Sequence, residues 1–172
     1  MYSQEDDRKL FNELLECLKI SYENPHFYLL FRRIIEIYAR QGRYYYNFGY
    51  VRQRLSILKR LKLEIDNLPA MTLAIWFLGI EQGFEHRQRS ADTMKILLKP
   101  YRSFLNEEII DTSYEFILNT IHPSFLITND SQVIHDLDLY FLGGRYEQCL
   151  SIIEKIRKEY PNLSKKRFSR QI

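Results

Sequence analysis

A chain of 172 residues, 45% apolar and 27% charged, is long enough to bury about two-thirds of its unfolded surface in one core without metal or disulfide staples. Six glycines and five prolines leave too few turn residues for an all-β fold, and a net charge of +3 is too small to call for a nucleic-acid or membrane partner. Cys17 and Cys149 have no CxxC spacing, which argues against a disulfide framework and fits a reducing, cytoplasmic setting.

The amino terminus, MYSQEDDRKL, is acidic and polar and lacks the order of a signal peptide. Leu10, Phe11, Leu14, Leu15 and Leu18 recur at three- and four-residue steps, which predicts a first helix over about residues 4 to 20. Pro25 restarts the chain, and an aromatic- and leucine-rich run from His26 to Arg40 predicts a second, ended at Gln41-Gly42. The stretch RYYYNFGY follows, four tyrosines and a phenylalanine in eight positions. Asn47 is a natural N-cap for a third helix to about Ile65 on the stripe Val51, Leu55, Leu58, Leu61. Arg52, Arg54, Lys59, Arg60 and Lys62 are expected on its solvated face.

Asn67-Leu68-Pro69 places proline in the first turn of a fourth helix, to about Gln82. Its run PAMTLAIWFLGI is apolar all round, as in a central buried helix, and is too short for the roughly 20 residues that cross a bilayer. A fifth helix is expected from Ser90 to Lys99, and a sixth from Asn106 to Ile121 with Glu107 and Glu108 in its first turn. After a loop from Pro123 to Ser131 come a shorter element, Gln132 to Leu142, a break at Gly143-Gly144, and a last helix from Tyr146 to Tyr160 with Cys149, Ile153, Ile156 and Tyr160 inward. The expected architecture is a single all-α domain, residues 1 to 172, of seven or eight helices, with a basic, loosely packed tail from 161 to 172.

Several fragments, in order, carry a family resemblance: RYYYNFGYV, LAIWFLGI, RSA at Arg89 to Ala91, NTIHP at Asn119 to Pro123, HDLDLYFLGG from His135, and IRKEYP from Ile156. Over about residues 37 to 160 the chain resembles the bacterial family described as predicted metal-dependent HD-superfamily phosphohydrolases. That family's pattern runs R-x-Y-H-N-x-x-H-I, W-F-H-D-I, N-E-x-x-S-A, T-x-H, D-A-D-L-x-x-L-G and I-R-x-E-Y. The resemblance implies an HD-like helical bundle and a pocket built from Tyr46, Tyr50, Leu78, Gly79, His86, Arg87, His122, Asp136 and Asp138.

The chemistry departs from the pattern. HD enzymes hold divalent cations with imidazoles and carboxylates, and the metal activates a water for attack on phosphorus. Here Tyr46 and Tyr50 stand at the two early histidines, Leu78-Gly79 at the His-Asp doublet, and His86-Arg87 at Asn-Glu. A phenol must lose a proton near pH 10 to ligate well, and Leu78 and Gly79 have no side-chain donor. No metal, cofactor or catalytic residue is therefore expected. A replacement cation site at His122, His135, Asp136 and Asp138 is weaker than the plain reading, since Asp136 and Asp138 point different ways on a helix and His122 suits a helix C-terminus.

The expected function is a pseudoenzyme that binds a protein partner or a second copy of itself, the surplus tyrosines being suited to an interface. Nucleotide or phosphate-ligand binding without turnover in the residual pocket, with Arg87 on a phosphate, is the alternative, and a residual metal-dependent phosphohydrolase ranks below it. Nucleic acid is disfavoured, because Arg52 and Arg54 do not share a helix face, and no membrane contact is expected. The phenols of Tyr46 and Tyr50, four residues apart on one face, are expected to plug the vacated metal pocket.

Overall fold

The computed structural model describes residues 4–21, 23–83, 85–122, 127–164 and 168, and among these it contains eight α-helices and no strand. They are α1 (Gln4–Cys17), α2 (Pro25–Tyr38), α3 (Phe48–Leu61), α4 (Leu68–Phe77), α5 (His86–Leu98), α6 (Glu107–Asn119), α7 (Asn129–Leu139) and α8 (Tyr146–Glu159). An all-α bundle of this size is what the helical periodicity and scarcity of glycine and proline predict. None of the described helices is long and apolar enough to cross a membrane.

Local chemistry sets the starts. The side chain of Asn24 accepts from His26 N, Asn47 from Gly49 N, Asn67 from Ala70 N and Asn106 from Glu108 N. Each such cap is worth about 1 kcal/mol against alanine. Pro69 sits in the first turn of α4, where the missing N–H has no partner to lose. Buried Asp130 at the start of α7 reinforces that turn, accepting from the backbone N–H groups of Asp66 and Asn67 at 3.0 and 2.8 Å.

Helix α4 is the axis of the bundle. From Ala70 to Phe77 every residue but Thr72 is buried, and α1, α3, α5, α6 and α7 all pack on it. Trp76 is fully enclosed between the rings of Phe11 and Phe48, at 5.4 and 5.2 Å. Apolar residues on every side leave this helix no solvated face, so it must be central. By contrast α8 buries only Ile156 within its span.

Several boundaries differ from expectation. Helix α3 ends at Leu61, and a 3-10 turn, Lys62–Glu64, completes it; α4 stops at Phe77 rather than near Gln82. Helix α5 starts at His86, four residues before Ser90, because Glu85 turns the chain in the left-handed conformation without any side-chain cap to mark it. Helix α7 starts at Asn129, inside the expected loop, through a reciprocal cap between Thr128 and Ser131. Cys149 is half-buried, its thiol against the carbonyls of the Phe141–Gly144 turn. Of the tail, Phe168 is buried against Tyr160 under Arg157, tighter packing than expected, while the basic residues Lys165, Lys166, Arg167 and Arg170 lie outside the described residues, as do residues 123–126 of the loop.

Candidate functional site

Buried charge on an apolar helix face must find a partner, and three helices each place one there. Arg54 on α3, Arg87 on α5 and Asp138 on α7 are 0%, 8% and 7% exposed. The expectation of a solvated basic face on α3 fails at Arg54: it stands one turn after Tyr50 and one before Leu58, on the stripe that faces the core.

The three charges meet around the tyrosines. One terminal nitrogen of Arg87 donates to both carboxylate oxygens of Asp138, at 2.6 and 2.5 Å, and the other donates to the carbonyl of Leu78 at 2.7 Å. The Tyr50 hydroxyl donates to Asp138 Oδ1 at 2.7 Å, and the Tyr46 hydroxyl lies 3.4 Å from the guanidinium. Arg54 has its guanidinium 3.7 Å from the Tyr50 ring centroid, and it donates to the Tyr45 hydroxyl at 2.6 Å and the Gln53 side chain at 2.7 Å. Cation–π attraction and neutral oxygens, rather than a carboxylate, thus hold the second arginine.

Tyr45, Tyr46 and Tyr50 pack edge to face with centroids 5.0 to 5.4 Å apart. Gly79 is a glycine for space rather than backbone freedom. Its φ is not positive, but a Cβ there would lie 2.9 Å from Tyr46 Cδ1 and 3.2 Å from Tyr50 Cε1. The first half of the RYYYNFGY segment is also pinned from two sides. Arg43 donates to the carbonyls of Tyr46 and Gly79 at 2.7 and 2.9 Å, and also to Ile80. Glu159 at the end of α8 accepts from the N–H groups of Tyr45 and Tyr46.

Electrostatics follow from enclosure. Burial pushes the Tyr50 phenol well above its ordinary range, with Asp138 adding to the effect, and burial likewise raises Tyr46 and Tyr45. For Arg87 burial opposes the charge, but Asp138 together with the phenols of Tyr46, Tyr50 and Tyr160 outweighs it and holds the guanidinium well above its ordinary value. His86, tilted against Tyr46 and 3.1 Å from the Tyr160 hydroxyl, is driven well below its ordinary value by burial and by the adjacent Arg87.

The His86 shift has a measurable consequence. The unfolded chain takes up a proton on His86 near pH 6.5 and the folded one does not, so stability is present above that pH and falls as pH drops towards the depressed folded value. Urea denaturation should lose about 1 kcal/mol between pH 7.5 and 5.5, and His86→Gln should lack that slope. An equal slope in the variant would contradict the assignment.

The structure brings together Tyr46, Tyr50, Leu78, Gly79, His86, Arg87 and Asp138, and adds Tyr45, Arg54 and Tyr160. It does not bring Asp136 to Asp138, nor His122. Asp136 is exposed beside a surface groove, and His122 is exposed just after α6. Asp138, expected in the pocket, is a buried charge of α7.

A divalent cation does not fit this cluster. Both Asp138 oxygens carry the guanidinium, the enclosed phenols hold their protons, and Leu78 contributes only a backbone carbonyl already bonded to Arg87. Among the described residues no three His, Cys, Asp or Glu side chains are grouped to hold a metal ion. Comparison with known families, curated proteins and solved structures gave no match to this chain.

Proposed function

We propose that this protein is a catalytically inactive HD-like scaffold that works by binding another protein or a second copy of itself. The observation that carries this reading is the Arg87–Asp138 pair. A guanidinium supplies the positive charge where the resemblance places a metal; its partners are an aspartate, the Tyr46 phenol and a carbonyl, and the Tyr50 phenol donates to that same aspartate. The match between Gly79 and the Tyr46 ring supports it further, since any side chain at 79 meets that ring. The two free thiols, Cys17 and Cys149, suit a reducing cytoplasm.

The nucleotide alternative draws less support. Arg87 would have to leave Asp138 to meet a phosphate, and Tyr46 and Tyr50, 6% and 3% exposed, offer no open face for a base.

The surface that suits a partner flanks the Gly143-Gly144 turn. Tyr140, Leu142, Tyr146 and Leu150 are 46%, 49%, 72% and 41% exposed, and Tyr140 also lines a groove of about 860 Å³ between α3, α7 and α8. Large half-polar rings on an exposed face are typical interface anchors. Replacing Tyr146 and Leu150 together by glutamate should leave the melting temperature within a degree or two, because neither is core. The same variant should abolish concentration-dependent association in light scattering, or capture of a partner that the wild type retains. A wild type that stays strictly monomeric and captures nothing specific would overturn the proposal.

A further inference from the structure

A second cavity, of about 220 Å³, opens between α1, α3 and α4. Leu10, Leu14, Leu55, Leu58 and Leu68 line it. An apolar cavity of about 150 Å³ is already large enough to stay dry and take benzene. The polar groups in its wall are turned on themselves: the Cys17 thiol points to the Thr72 hydroxyl, and that hydroxyl donates to the Leu68 carbonyl at 2.8 Å.

The rim is different. Lys59 is paired with Glu13 at 2.7 Å, whereas Lys62 is exposed and has no ion-pair or hydrogen-bond partner among the described residues. One cation therefore remains uncompensated at the mouth of an apolar hole.

We infer that this cleft binds an amphiphile with a saturated chain and a single carboxylate head, the chain among the leucines and the head on Lys62. The chain is desolvated by leucine side chains and asks for no hydrogen bond from the wall. The head stays in water beside one ammonium, which gives selectivity by charge sign. The cleft shares no residue with the Arg87–Asp138 cluster, so the fate of either proposal leaves the other standing.

Calorimetric titration of the full chain with octanoate, octanol and octylammonium, all below micelle formation, tests it. Octanoate should bind saturably at one site per chain, and octylammonium at least tenfold more weakly. Lys62→Glu should reverse that order. Leu10→Trp, at a partly exposed wall position, should fill the hole and weaken octanoate at least tenfold with the melting temperature retained. Absence of saturable octanoate binding overturns the inference, as does equal affinity for the two charged probes in the wild type, a comparison that needs no variant to fold.

Discussion

Replacing Asp138 by alanine destabilises the protein by about 3–5 kcal/mol in chemical denaturation, the usual result of stranding a buried charge. Two guanidiniums lie beside that aspartate, one bonded to its carboxylate and one stacked on Tyr50, whose hydroxyl also loses its acceptor. The effect belongs to stranded charge rather than to the pair's own worth. The double variant Arg87→Met with Asp138→Leu should therefore recover most of the loss, because a well-packed apolar pair often equals a buried ion pair. Equal destabilisation in single and double variants would show that the cluster is held by packing instead.

Gly79→Ala is expected to be the most harmful single-methyl addition in the chain, at about 1–3 kcal/mol for overpacking against the Tyr46 and Tyr50 rings. The ring 2.9 Å away is hemmed in by Tyr45, Tyr50 and His86. In a Tyr46→Ala background the clash disappears, so a double-mutant cycle should show a coupling of at least about 1 kcal/mol. Strict additivity would mean that glycine and ring are not a matched set.

The helical frame was legible from apolar spacing and asparagine caps. Helix α4 announced its central place because no side of it is polar, and Asn47 marked the start of α3 to the residue. Boundaries without a side-chain signal were not legible. Helix α5 begins after Glu85, where the backbone turns without a cap, so its first turn and with it the placing of Arg87 were hidden.

The site was legible as a set of positions but not as an arrangement. Arg54, Arg87 and Asp138 each sit on an apolar stripe: Tyr50, Arg54 and Leu58; Arg87, Ala91, Met94 and Leu98; Ile134, Leu137, Asp138 and Phe141. A charge in register with a buried stripe was the available signal, and residue type outweighed it when the arginines of α3 were assigned to solvent. That Tyr46 and Tyr50 lie together was legible from their spacing, but Arg87 beside them was not. Their rings fill the space over Gly79, while the positive charge comes from Arg87.

The central claim is that Arg87 takes the place of a metal ion at Asp138, and elemental analysis of protein purified without chelators tests it most directly. The expected result is well under one equivalent of any transition metal, with no rise in melting temperature on adding manganese, magnesium or ferrous iron, since a cation that bound the folded state would raise it. Near-stoichiometric metal together with hydrolysis of a phosphoester would contradict it.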